Sequence, residues 1–170
     1  MKHREIFSII FTYMLFLLCL TGCENVTDDN TAIEGGMTAW SGCLDRMDVQ
    51  GTESDDFSRD CIYWNYSSDR TLVMVHQYAA FNCCPGDIDA DITMDGSAIT
   101  ISEYSTEAAC KCNCLYRLDY AFPKLHPGRY TFQFEEPLRW QDDPVLEFSL
   151  DLEFPGSGTF CVSRTRYPWR

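Results

Sequence analysis

The chain has 170 residues, with 13 Lys and Arg against 26 Asp and Glu, a formal net charge of −13. A surface of that sign repels nucleic acid and anionic head groups, so neither DNA nor RNA is expected as a partner. Ten cysteines in a chain of this length make the redox compartment the first question, because clustered cysteines read as metal or catalytic sites in the cytosol and as crosslinks outside it.

The amino terminus reads MKHREIFSIIFTYMLFLLCLTGCENV. Lys2, His3 and Arg4 form a basic start, and Ile6–Leu20 is almost wholly apolar. Fifteen residues fall short of the roughly 20 that a membrane span needs and fit the apolar core of an export signal. The run ends in Leu20-Thr21-Gly22-Cys23, which resembles the lipobox of bacterial lipoproteins. The resemblance implies a signal peptide over residues 1–22, cleavage after Gly22, and palmitate-type acylation at Cys23. Two or more acyl chains anchor stably, so the expected partner is a membrane reached through lipid rather than spanned. Glu24, where an aspartate marks inner-membrane retention, favours the outer membrane in a host that has one. Removing residues 1–22 takes Lys2, Arg4 and Glu5, leaving 11 basic residues against 25 acidic and a net charge of −14.

Residues 23–40 are polar and acidic, carry the Gly35-Gly36 pair, and read as a flexible tether. The domain proper is expected over 41–166, with 167–170 a tail. Gly42–Ser58 has no clear period. From Cys61 onward alternation of period two dominates. Ile62, Trp64 and Tyr66 share a face. Thr71–Phe81 is apolar on both faces, as in a central strand covered on both sides. Ile88, Ala90, Ile92 and Met94 alternate with Asp87, Asp89, Asp91 and Thr93, and Asp95-Gly96 then leads to Ile99 and Ile101, a hairpin signal. Further strands are expected over Cys114–Tyr120, Arg129–Phe134, Val145–Phe154 and Gly158–Ser163, with Leu146, Phe148, Leu150, Leu152 and Phe154 facing inward. No stretch keeps a helical period. Short strands at this spacing predict an all-β fold, an immunoglobulin-like antiparallel β-sandwich, with a small β-barrel as the alternative. Leu125-His126-Pro127-Gly128-Arg129-Tyr130 resembles the turn that enters a late strand of immunoglobulin-like sandwiches, where the tyrosine hydroxyl caps a nearby backbone group.

Cys19 leaves with the signal and Cys23 takes lipid. Cys43, Cys61, Cys83, Cys84, Cys110, Cys112, Cys114 and Cys161 remain, an even set suited to four disulfides. Alternate residues on one strand face lie about 6.6–6.8 Å apart at Cα, at the far limit for a bridge. Cys110, Cys112 and Cys114 therefore bond elsewhere, and Cys83 and Cys84 face opposite ways. The expected pairing gives Cys83 and Cys84 two of the three, sends the third to Cys161, and joins Cys43 to Cys61. A thiolate site for Zn or Cu is the alternative. Against it, no Cys-x-x-Cys occurs, His76 sits in an apolar strand as a core or face residue, and His126 sits in an exposed turn. Thiol exchange is weaker still, since neither its usual motif nor its helix is present.

Other chemistry is thin. Asp87, Asp89 and Asp91 resemble the start of a calcium loop, but Ile92 and Ala98 stand where an EF-hand needs Gly and Glu. They read as an acidic strand face that discourages edge pairing. Glu135, Glu136, Asp142 and Asp143 are loop or strand-end carboxylates, a glycan-hydrolase pair only if two flank a cleft. Trp40, Trp140 and Trp169 suit either packing under loops or stacking on a ligand. Neither a cofactor nor a resident metal is expected.

Asn82-Cys83-Cys84, then Glu103, Cys110-x-Cys112-x-Cys114 with Tyr116, and Leu125-x-Pro127-Gly128-x-Tyr130 together resemble a pattern in small uncharacterised bacterial lipoproteins. That resemblance implies a disulfide-bearing β domain and carries no activity. The expected function is that of a lipid-anchored envelope protein, a non-enzymatic binding or structural module with a protein or glycan ligand. The thiolate metal protein and the glycan hydrolase are its alternatives.

Overall fold

The alternating segments become strands. In a computed structural model that describes residues 33–44 and 57–169, all within one unit, Ala32–Arg170, nine strands are found among the described residues. They are β1 (Gly36–Trp40), β2 (Arg59–Tyr66), β3 (Leu72–Asn82), β4 (Ile88–Asp95), β5 (Ala98–Ser105), β6 (Asn113–Phe122), β7 (Arg129–Glu135), β8 (Leu146–Asp151) and β9 (Gly156–Ser163). The fold is all-β. One sheet has the order β1-β6-β3-β2-β9 and the other β4-β5-β7-β8. The two do not close into a barrel and pack as a sandwich, each burying the apolar parity of its strands. Strand pairs are antiparallel except β5 with β7, which run parallel with Ala98 opposite Thr131. That pair follows from connectivity: the chain leaves β5, crosses to the other sheet as β6, and returns as β7 beside β5.

Inward side chains include Ile62, Leu72, Met74, Leu118 and Phe122 from the five-stranded sheet, and Ile99, Ile101, Phe132, Phe134 and Leu146 from its partner, none more than 1% exposed. Each such burial stabilises by about 1.5–3 kcal/mol before chain entropy is subtracted. Phe148 stacks on Phe160 at 5.0 Å and on Phe132 at 5.8 Å, joining β8 to both sheets. The β4–β5 hairpin pairs Asp95 with Ala98, so Gly96 and Ser97 form the loop, and Gly96 takes the left-handed φ of 59° that the tight turn requires. The Tyr130 hydroxyl donates to the His126 carbonyl at 3.0 Å, the cap expected of the Pro-Gly turn.

Several expectations change. Gly36–Trp40 lies within the expected tether yet forms β1, paired with β6. Residues 1–32, including the signal and Cys23, lie outside the described residues. The expected tail is not free, because Trp169 is buried and its Nε1 donates to the Tyr78 carbonyl at 3.0 Å. β3 is central, but it is covered on both faces over only part of its length. A register shift between Gln77 and Ala79, with Tyr78 at φ 74°, forms a bulge. Before it Leu72, Met74 and His76 are buried while Val73 is exposed. Beyond it Tyr78 and Ala80 pack with Leu115 under Trp169, on the face away from the main core. Phe154, expected inward, is 81% exposed, because β8 ends at Asp151.

Four disulfides join Cys43 to Cys114, Cys61 to Cys161, Cys83 to Cys112 and Cys84 to Cys110. The neighbouring cysteines Cys83 and Cys84 do take two of the Cys-x-Cys-x-Cys set. The other two expected pairs are wrong, and strand order gives the reason. β9 lies against β2 with Cys61 directly opposite Cys161, their Cα atoms 4.1 Å apart. β1 lies against β6, and its continuation keeps to that strand through the Leu44 amide and the Leu115 carbonyl. Cys43 thereby comes to within 5.7 Å of Cys114 at Cα. Asn82 organises the other two bridges: its Nδ2 donates to the Cys110 and Cys112 carbonyls, and its Oδ1 accepts the Cys84 and Cys110 amides. Four bridges are the chemistry of an oxidising compartment outside the cytoplasm.

Candidate functional site

At one end of the sandwich the inward parity of four strands turns from apolar to charged. Asp60 precedes Ile62, Trp64 and Tyr66 on the inner face of β2. His76 follows Leu72 and Met74 on β3, and Glu103 follows Ile99 and Ile101 on β5. Arg164 lies just past β9, two residues beyond the buried Val162, and its amide donates to the Ser58 carbonyl. Asp60, His76 and Arg164 are 0% exposed and Glu103 is 4% exposed. Glu136, the residue after β7, buries its side chain to 2% exposure.

These five side chains form one chain of contacts that crosses between the sheets. His76 Nδ1 lies 2.7 Å from Glu103 Oε1, and His76 Nε2 lies 2.7 Å from Asp60 Oδ1. Arg164 donates to Asp60 Oδ2 through Nε at 3.0 Å and through Nη2 at 2.7 Å. Its Nη2 also reaches Glu136 Oε2, and its Nη1 donates to the Pro144 carbonyl at 2.7 Å. The Tyr120 hydroxyl donates to Glu103 Oε1 at 2.7 Å. The Phe134 ring meets the imidazole edge-on at 5.3 Å, and the Arg164 guanidinium lies 5.2 Å from the Trp169 ring centre.

The electrostatics follow from this geometry. Ionised carboxylates only accept hydrogen bonds, so an imidazole between two of them carries a proton on each nitrogen. Burial alone would lower its affinity for the second proton, but the Glu103 and Asp60 charges outweigh burial and hold His76 well above its ordinary 6.5. Burial raises Asp60, and His76 with Arg164 more than reverses that, keeping it below the usual carboxylate value. Glu136 goes the other way: burial, then the Asp60 charge beside it, push it up to about 9. Burial and the neighbouring Glu103 raise the Tyr120 phenol well above 10. Glu103 Oε2 and Glu136 Oε1 are buried without a hydrogen-bond partner.

The residues singled out from sequence fall elsewhere, with His76, Glu103, Glu136 and Trp169, whose ring lies against Arg164, the exceptions. Asp89 and Asp91 point outward along β4. Glu135 accepts from Ser102 at the surface, so it and Glu136 diverge from one strand end. Asp142 is exposed, whereas Asp143 is buried with Oδ2 unpartnered. Trp140 is half exposed and faces Arg166 at 4.7 Å. All eight mature cysteines of the described residues are bridged, which leaves none of those sulfurs as a thiolate ligand. Asp60 and Arg164 escaped the sequence reading, although both continue an apolar parity with a charge. That break in pattern on β2, β3, β5 and β9 is the signal that finds the cluster.

No protein-family model matches this chain, and no curated protein or solved structure matches it either.

Proposed function

We propose that the chain is a lipid-anchored envelope protein whose β-sandwich is a non-enzymatic binding or structural module. The observation that carries the reading is where the reactive side chains lie. The imidazole, the guanidinium and three carboxylates are sealed between the sheets and face one another, a placement that holds the sheets in register and keeps these groups from touching a substrate. Compartment supports it too, since disulfides and a lipobox-like Leu20-Thr21-Gly22-Cys23 belong to the same exported class. The outer face of the five-stranded sheet, with Tyr63 and Val73 exposed, offers a surface suited to a protein or glycan ligand.

The hydrolase alternative needs two carboxylates across an open cleft. Glu136 is buried on Arg164 while Glu135 and Asp142 face solvent, which disfavours it. The thiolate alternative needs unpaired sulfurs, and eight are bridged. Two experiments test the proposal. Cys23→Ser should move the protein from the membrane fraction to the soluble fraction or leave it unprocessed, and unchanged fractionation would refute the anchor. Purified protein should release no product from cell-wall glycan. Turnover abolished by changing Glu135, Glu136, Asp142 and Asp143 to Ala would replace the module with an enzyme.

A further inference from the structure

Asp60, His76 and Glu136 each place one ligand atom within 4.8 Å of the other two. Behind each, the remaining polar atom is already held. His76 Nδ1 is fixed by Glu103 at 2.7 Å, which leaves Nε2 turned toward Asp60. Asp60 Oδ2 and Glu136 Oε2 are both held by Arg164. Glu136 Oε1 is buried and has no partner. An imidazole whose far nitrogen donates to a carboxylate, beside carboxylates whose far oxygens are hydrogen-bonded, is the outer support that orients ligands around a metal ion. Charge permits the exchange: a divalent ion that replaces both the imidazolium proton and the Glu136 proton leaves the buried sum unchanged, and an unbalanced buried charge is costly.

We propose that Asp60, His76 and Glu136 bind one divalent first-row metal ion of the zinc type, with Glu103 and Arg164 as positioning residues. One imidazole nitrogen and two carboxylate oxygens match such an ion, whereas copper(I) prefers sulfur, and magnesium and calcium prefer all-oxygen shells. On binding, His76 Nε2 releases its proton to solvent and presents its lone pair, and Glu136 releases its proton as well, so two protons leave for one divalent ion. The 2.7 Å Nε2 to Oδ1 contact opens to about 3.3 Å, the spacing of tetrahedral ligands about 2.0–2.1 Å from zinc. The site is closed to solvent, so the ion enters as the two sheets come together, and binding is coupled to folding.

The test refolds the full chain with Zn²⁺ or with EDTA, the eight cysteines of the described residues kept as disulfides so that none of them competes as a thiolate. After dialysis the bound metal is counted. Wild type should keep about one Zn²⁺ per chain and melt higher than the EDTA-refolded sample. Glu136→Gln keeps the side chain's shape and its acceptor for Arg164, and should weaken Zn²⁺ binding by more than about 100-fold, beyond the 10- to 100-fold loss usual for an outer partner. In ¹⁵N spectra the His76 Nε2–H signal should vanish on refolding with Zn²⁺. Wild type that retains no Zn²⁺, or Glu136→Gln that retains as much as wild type, overturns the proposal. Should the variant fail to fold, the spectrum of wild type decides: an Nε2 that keeps its proton in the Zn²⁺ sample overturns it as well.

Discussion

A buried imidazole between two carboxylates behaves unlike a surface histidine, and the pH dependence of stability should reveal it. Glu136 in the folded chain sits at about 9 against an ordinary 4.5, so the folded state holds a proton that the unfolded state has released. Its contribution is complete below about pH 4.5 and is lost as pH rises toward 9. His76, raised above 6.5, acts in the same sense: its contribution is complete below 6.5 and disappears as pH climbs through the folded value. Asp60, lowered from 3.8, acts oppositely, and its share is lost as pH falls. Metal-free protein should therefore be most stable in mildly acidic solution and weaken steadily toward pH 9, as urea unfolding at a series of pH values would measure. Glu136→Gln should flatten that slope and exceed wild type in stability at pH 9. His76→Ala leaves Asp60 and Glu103 in the core without the cation between them and should cost about 3–5 kcal/mol at pH 7; a loss under 1 kcal/mol would mean that the imidazole is not charged there. His76, Glu103 and Glu136 were visible as residues in the sequence, but their meeting was not. It depends on which strands face across the sandwich, and period-two alternation says nothing about that.

At the scale of strands, alternation was enough to locate the β4–β5 hairpin, the strand bearing Tyr130 and the inward face of β8, because each buries one parity and exposes the other. It did not locate the bulge at Tyr78, since a one-residue insertion looks the same as a strand apolar on both faces. Pairing of the cysteines was legible only where local geometry governed it, at Cys83 and Cys84. Cys43 and Cys61 depend on β1 joining β6 and β9 joining β2, which are contacts between distant parts of the chain. The Cys61–Cys161 bridge spans 100 residues and ties an edge strand to its neighbour. Changing both cysteines to Ala should cost about 2–5 kcal/mol. Hydrogen exchange should quicken first in β9 while the β4–β5 hairpin stays protected; uniform quickening across both sheets would show instead that the bridge supports the whole sandwich.

For the molecule as a whole, four bridges within and beside the five-stranded sheet mean that oxidation and folding are one process. Native protein should take up no alkylating reagent under denaturing conditions until it is reduced, and then take up eight groups on Cys43, Cys61, Cys83, Cys84, Cys110, Cys112, Cys114 and Cys161. Peptide mapping should recover Cys43 with Cys114 and Cys61 with Cys161, and a Cys43–Cys61 peptide would refute the strand order β1-β6-β3-β2-β9.

The long reach of two bridges sets a timetable. A chain delivered amino end first into an oxidising space offers the oxidant Cys43 and Cys61 early, while the partner of the first is 71 residues behind and that of the second 100. Consecutive oxidation would join those two early arrivals, and only thiol exchange can undo that link. Cys161 arrives 100 residues after Cys61, so correct assembly depends on a shuffling catalyst or on oxidation held back until Cys161 has been translocated.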